Sequence, residues 1–217
     1  MKNAVVSWSG GKDSCYAMMR AQTDGYALKV LLNVLNEDGT FSRSHRIPKN
    51  ILEAQAQLFK KPIYLITASW QDYEQHFTSA LKALKEQYNL TYAIFGDIDL
   101  QAHRDWEEKV CAITGLKPVL PLWKEDRKAL VLQMLQSGIQ TIIVSCNEKM
   151  GDHFLGKLLT VDLVEELETL GIDPCGEEGE FHTLVTHCPL FQKPIQIRVA
   201  QKIKHESYWF ADLLLEK

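Results

Sequence analysis

The 217-residue chain has no apolar run approaching the ~18 residues that a membrane span requires, and no pair of its five cysteines stands at Cys-x-x-Cys spacing. Cys15, Cys111, Cys146, Cys175 and Cys188 form an odd set, which argues against a disulfide framework and a zinc ribbon and suits a reducing cytoplasm. Met1 is followed at once by strand-like Ala4-Val5-Val6, with no basic, then apolar, then small-residue signal pattern. Excess positive charge is also lacking: 24 Lys and Arg against 28 Asp and Glu leave a net charge of −4, which argues against a nucleic-acid backbone as partner. The local run Arg43, His45, Arg46, Lys49 reads as a solvated face. There is no internal repeat, low-complexity tract or disordered tail.

What is present is ordinary globular composition, 46% hydrophobic and 24% charged, enough for a real core. Short apolar runs alternate with amphipathic stretches. Strands are expected at Ala4–Trp8, Ala27–Leu35, Pro62–Ala68, Tyr92–Phe95 and Val119–Leu122. Helices are expected at Ser14–Gln22, Pro48–Lys60 with the proline at its first position, Trp70–Tyr88, and Leu100–Thr114 stopping at Gly115. Continuous apolar strands alternating with helices predict a parallel sheet covered on both faces, with ligands at the carboxyl ends of its strands. After Trp123 the rhythm changes. A helix over Lys124–Ser137, a strand over Ile139–Ser145 and an acidic helix over Thr160–Leu170 lead to a glycine- and glutamate-rich loop. Two strand-like runs, Pro194–Lys204 and Ser207–Leu215, close the chain as a hairpin.

Ser7-Trp8-Ser9-Gly10-Gly11-Lys12-Asp13-Ser14 follows the first strand. A Walker loop would need glycine at position 6, which is Val6, and a hydroxyl at position 13, which is Asp13; Gly-x-Gly-x-x-Gly is absent here as well. The stretch still suits an anion. Gly10 and Gly11 let the backbone approach closely, and a helix starting near Asp13 offers free N–H groups and a positive dipole end. Ser9, Ser14 and Lys12 add donors and charge. Asp13 would repel phosphate unless a Mg²⁺ ion lay between them.

Ser9-Gly10-Gly11-Lys12-Asp13-Ser14 resembles the PP-loop of the ATP pyrophosphatases. With it come Gly96-Asp97-Ile98, Pro121-Leu122-Trp123, Leu155-Gly156-Lys157, Cys175-Gly176-Glu177-Glu178-Gly179-Glu180-Phe181-His182-Thr183 and Cys188-Pro189-Leu190-Phe191. In this order the segments are similar to the diphthine–ammonia ligase family, over about residues 4 to 194. The resemblance implies a Rossmann-like adenine-nucleotide α-hydrolase domain over residues 1–123 and a smaller, family-specific α/β substrate domain over 124–217. It implies an ATP-dependent carbon–nitrogen ligase that adenylates a carboxylate, releases pyrophosphate and amidates the carboxylate with free ammonia.

The same resemblance distributes the roles. Ser7, Ser9, Gly10, Gly11, Lys12, Asp13, Ser14 and Asn33 would hold ATP, with Asp13 as the Mg²⁺ ligand. Lys12, Asp13, Asp97, Glu177 and Glu180 would carry the chemistry, Asp97 as a second metal or substrate ligand; its other reading is a helix N-cap before Leu100. Arg104, Glu108, Glu177, Glu178, Glu180, His182 and Thr183 would meet the substrate. The family's Tyr-Gln-Arg run is Ala102-His103-Arg104 here, and Trp106 replaces its second arginine, so another carboxylate, such as a corrinoid precursor, is an alternative substrate. A tRNA-thiolating PP-loop enzyme and a non-catalytic nucleotide sensor are readings from other classes, and a homodimer is left open.

Overall fold

The computed structural model describes residues 1–216. The first half of the chain runs β1 (Lys2–Ser7), α1 (Lys12–Thr23), β2 (Tyr26–Leu35), α2 (Lys49–Leu58), β3 (Ile63–Thr67), α3 (Tyr73–Tyr88), β4 (Tyr92–Ile94), α4 (Gln101–Thr114) and β5 (Lys117–Val119). Its five strands form one parallel sheet in the order β3-β2-β1-β4-β5. The chain leaves β1 toward β2 on one side and later adds β4 on the other. The carboxyl ends of β1 and β4 therefore flank a switch point, where loops diverge and leave a crevice.

The strand β1 explains why the sheet is covered twice. Ala4 and Val6 join one buried cluster with Met18, Leu31 and Leu52, whereas Val5 joins a second with Leu32, Phe77, Leu81 and Leu84. Alternate residues point to opposite faces, so a strand buried on both sides reads as one apolar run. Asn89 and Gly115, both in left-handed conformation, end α3 and α4.

The second half contains α5 (Arg127–Gln136), β6 (Gln140–Asn147), α6 (Val161–Thr169), β7 (Phe181–His187), β8 (Ile197–His205) and β9 (Tyr208–Leu215). Its sheet is antiparallel, in the order β7-β6-β9-β8. The terminal hairpin forms as expected, turning at Glu206 with φ +52°. Asp126 and Thr160 cap α5 and α6 through their side chains.

Three expectations need correction. The fifth strand lies at Lys117–Val119, and residues 121–124 turn instead. The glycine- and glutamate-rich segment, expected as a loop over Gly176–Thr183, becomes the strand β7 from Phe181 onward. Pro48 is the N-cap of α2, not its first residue.

The two sheets share one core: Ile143, Val164 and Leu184 of the second half belong to the same cluster as Val6 and Leu52. Polar bonds join them too. Val185 N donates to Gly10 O at 2.9 Å. Gln55, fully buried on α2, donates to Gly10 O at 3.1 Å and Val185 O at 2.8 Å and accepts from Trp8 Nε1 at 3.1 Å. Strand β7 is thereby fastened directly to the glycine loop that follows β1.

Candidate active site

Gly10 has φ +88°, and a Cβ there would stand 2.8 Å from Ile47 Cδ1. Only glycine takes this turn without strain. A Cβ on Gly11 would meet His45 Cε1 at 2.7 Å and Thr183 O at 3.1 Å. The turn delivers Lys12 as the first residue of α1, so the helix's free N–H groups face the crevice. Hydroxyls hold several of these donors: Gly11 N reaches Ser9 Oγ at 3.2 Å, Ser9 N reaches Ser14 Oγ at 3.3 Å, and Lys12 N reaches Thr183 Oγ1 at 3.1 Å.

Lys12 is buried, and its Nζ donates to Asp13 Oδ2 at 2.9 Å and to Cys175 O at 2.5 Å. Burial alone would depress the ammonium, but the negative field of Asp13 and Glu177 holds it above its ordinary value. Asp13 is raised too, which for an acid disfavours the charged form. Burial, with Asp97 adding to it, raises its carboxyl despite the neighbouring lysine. Its Oδ1 is buried and has no partner.

These groups open onto a cleft of about 780 Å³, the size of a small-molecule site. Ser7, Ser9, Lys12, Asp13 and Ser14 line one end, and Glu177, His182 and Thr183 come over from the second half. Asn33 lies in a small adjoining pocket that also touches Ser7 and Ser9. Its Nδ2 donates to Trp8 O at 2.7 Å, and its Oδ1 is buried and unpartnered.

Opposite the loop stands a chain of titrating groups. Asp97 follows β4, and its Oδ1 lies 2.6 Å from His103 Nδ1. The N-cap of α4 is Leu100, so Asp97 does not cap that helix. Burial would raise Asp97, but hydrogen bonds from His103 and Glu107 hold it below the ordinary carboxylate range. His103 is raised in return, chiefly by that bond. Glu107, one turn along α4 from His103, is 2% exposed. Burial first, then the bond and charge of Asp97, push its carboxyl up to about 11. That favours the protonated acid near pH 7.

The glutamate loop sorts its carboxylates into different duties. Glu177 lines the cleft, and burial together with Asp13 raises it to about 8. Glu180 is buried off the cleft and braces the loop, accepting from Asp173 N at 3.2 Å and Glu178 N at 3.1 Å. Glu178 is exposed and sits 3.6 Å from Arg127. Arg127 grips Asp99 with two nitrogens at 2.8 Å each and Asp173 at 2.7 Å. Asp173 in turn accepts from Cys175 N and Glu177 N, both at 3.0 Å. Cys175 lines the cleft, but burial pushes its thiol to about 12, so it is not a thiolate near neutrality.

Arg104 and Glu108 are not among the residues lining the cleft. They pair with each other at 2.7 Å on the exposed side of α4, Arg104 lying over Trp123. The cleft receives the adjacent face of the same helix, His103, Trp106 and Glu107. His45 is likewise no member of a solvated basic face. Its Nδ1 donates to Thr183 O at 3.0 Å and its ring stacks on His182 with centroids 4.4 Å apart. Burial lowers His45 to about 4, and burial with His45 and Lys12 holds His182 well below its ordinary value. Aromatic residues Trp70, Tyr73, Phe95 and Trp106 complete the wall.

The parallel sheet, its switch-point crevice and the glycine turn at a helix start define a PP-loop type of nucleotide-binding protein. The chain belongs to the diphthamide synthase family: the family model described as Diphthamide synthase N-terminal domain matches residues 1–118, and its C-terminal counterpart matches 126–215. Proteins named diphthine–ammonia ligase are similar to it over 94% of its length. The rat protein is 28% identical with 85% of that protein covered, the zebrafish protein 29% with 89%, and the human protein 29% with 85%. The chain thus stands in a family of ligases. A solved structure described as a predicted subunit of tRNA methyltransferase from Methanocaldococcus jannaschii aligns at TM-score 0.48 and 16% identity, covering 86% of this chain and 98% of that one. No helix among the described residues is long and apolar enough to cross a membrane.

Proposed function

We propose that this chain is an ATP-dependent amide ligase that joins ammonia to a carboxylate through an acyl-adenylate, with release of AMP and pyrophosphate. The observation that carries the reading is the Lys12–Asp13 pair at the start of α1, opening onto the cleft with Asp13 Oδ1 unpartnered. A carboxylate does not react with ammonia at useful rates, because its oxygen leaves too poorly. In the proposed sequence its oxygen attacks the α-phosphorus, the bond to the β-phosphate oxygen breaks, and pyrophosphate departs. Ammonia then attacks the acyl carbon and AMP leaves.

The protein's part is positioning and charge. Lys12 and the amides of the Ser9–Ser14 turn hold the departing pyrophosphate. Exchanging the internal bonds of Ser9, Ser14 and Thr183 for phosphate oxygens frees N–H donors that are already aligned. Asp13 fits a Mg²⁺ ion: one orphaned carboxylate oxygen beside phosphate is the kind of site that ion uses, and when bound it would neutralise phosphate charge. Ser7, Ser9 and Asn33 border the pocket for the nucleoside. Glu177 and the His45–His182 pair face the acyl group from the second half. Glu178 and Glu180 serve the loop rather than the substrate. The relatives' name makes diphthine the first carboxylate to test. The His103 and Trp106 face of α4 is where another carboxylate, such as a corrinoid precursor, would be distinguished.

The test is product analysis. The chain is incubated with Mg-ATP, ammonium and either a diphthine-bearing protein or a panel of small carboxylates. AMP and pyrophosphate are expected, with isotope exchange between pyrophosphate and ATP lost in Lys12→Ala and Asp13→Asn. ADP as product would sink the reading. Tight nucleotide binding without turnover, unchanged in Asp13→Asn, would favour a sensor instead.

A further inference from the structure

We propose that Arg127, which stands outside the cleft as the first residue of α5, is the positioning residue that aims Lys12 at phosphate. It does so by holding the loop carbonyl to which the Lys12 ammonium is bound. The inference deepens the ligase reading and rests on it only for the phosphate-holding role of Lys12.

Every link between the two side chains is a hydrogen bond. Arg127 Nε and Nη2 donate to the two oxygens of Asp99 at 2.8 Å each, and Nη1 donates to Asp173 Oδ2 at 2.7 Å. Asp173 Oδ1 accepts from Cys175 N and Oδ2 from Glu177 N, both at 3.0 Å. The Cys175 thiol donates to the carbonyl of Arg127 itself at 3.0 Å. Gly176 N, the amide of the next peptide, donates to Asp173 O at 3.0 Å. In a trans peptide the N–H and C=O point opposite ways. That bond therefore turns Cys175 O away from Asp173 and toward Lys12 Nζ, 2.5 Å distant. Gly176 takes this turn at φ +73°, where a Cβ would stand 2.6 Å from Phe181 O. Asp173 is the knot of the loop, and Arg127 fixes Asp173.

The direction of Lys12 matters because an ammonium has three donors. One goes to Asp13 Oδ2 at 2.9 Å and one to Cys175 O. The third is left for a phosphate oxygen, and the other two set its direction. The Lys12 and Asp173 side chains are 3% and 8% exposed, so water does not readily replace their bonds. Charge alone does not ask for arginine at position 127. One planar fork grips two carboxylates on separate loops at once, which a lysine cannot match. With that grip lost, Cys175 O is free to turn. Lys12 then keeps its charge and its partner Asp13 but loses its aim.

The probe is magnesium pyrophosphate, titrated into the full chain by calorimetry. Arg127→Lys should weaken its binding by about tenfold or more, the loss of one charged hydrogen bond. In a Lys12→Ala background the same substitution should change affinity by less than about twofold, because the group it acts through is gone. A loop that is merely loosened would weaken binding equally in both backgrounds. Lys128→Ala removes an exposed ion pair with Glu168 from the same helix and should leave binding unaltered. The crystal structure of Arg127→Lys reads the link without any ligand. The Lys12–Asp13 pair should persist while the bond from Lys12 Nζ to Cys175 O is lost, and melting curves check the fold. That bond intact, an affinity indifferent to Arg127→Lys, or equal losses in both backgrounds would each overturn the proposal. No binding by the unaltered chain would remove the phosphate role of Lys12, and the proposal with it. Neither measurement involves a carboxylate substrate or ammonia, so a failure of amide formation would show in product analysis alone.

Discussion

His45 stacks on His182 with ring planes 21° from parallel, while its Nδ1 donates to Thr183 O. The carbonyl fixes the tautomer: Nδ1 carries the proton and Nε2 is left as an acceptor. One imidazole comes from the β2–α2 connection and the other from β7, so the stack bridges the two halves beside the glycine loop.

This stack predicts acid sensitivity. Burial holds His45 near 4 against an ordinary 6.5. Between those values the unfolded chain binds more protons than the folded one, so stability falls as pH drops through that window and is unaffected above it. The slope is about 1.4 kcal/mol per pH unit for each histidine fully held neutral. Urea unfolding at pH 7, 6 and 5 should show it, and His45→Gln should flatten it. Identical slopes in both proteins would refute the assignment.

Glu107 predicts the opposite trend. Its folded value near 11 lies above the ordinary 4.5, so the folded state retains a proton that the unfolded state loses. Its contribution is intact below pH 4.5 and is lost progressively as pH rises toward 11. Glu107→Gln keeps the hydrogen bond without the titration. The variant's advantage should grow by about 1.4 kcal/mol per pH unit between pH 5 and 8. Parallel stability curves would mean the acid is ionised after all.

Gly96→Ala should damage the glycine-loop end of the cleft from just after the neighbouring strand β4. A Cβ there would stand 2.8 Å from Ser14 N and 2.9 Å from Asp13 C, which are backbone atoms at the start of α1. Overpacking of this kind costs about 1–3 kcal/mol, or a few degrees of Tm per kcal/mol at this chain length. ATP affinity, read by calorimetry, should fall together with Tm. A variant with normal affinity would show that the loop can shift freely.

Arg127→Lys should loosen the glutamate loop while keeping its charge. Lysine lacks the fork that grips Asp99 and Asp173 at once, and Asp173 orders the amides of Cys175 and Glu177. Hydrogen exchange at those two amides should accelerate while the β1 and β4 amides stay protected. Uniform exchange across the chain would indicate a global loss of stability instead.

Much of the architecture was legible along the chain. Buried strands announce themselves by apolar runs, and the glycine turn needed only Gly10, Gly11 and the helix after them. Strand β7 was harder, because Phe181-His182-Thr183 continues a glycine-rich motif and its alternation starts only where the loop ends. The cleft face of α4 was misjudged for a geometric reason. Arg104 and Glu108 share one face at i, i+4 spacing, as do His103 and Glu107, and spacing alone does not say which pair turns inward. A glutamate among exposed-looking charges gives no hint that it will be 2% exposed.

By itself the sequence determined the parallel sheet and the position of the glycine turn after its first strand, because each rests on residues close together in the chain, and the ligase family, because short motifs keep their order along it. The tertiary structure alone decided that His45 meets His182, that Gln55 ties Gly10 to Val185, and that Glu107 is buried beside Asp97, which raises its carboxyl. Those outcomes depend on burial and on partners far away in the chain, and the charge state of a carboxyl group is set by its surroundings rather than its spelling.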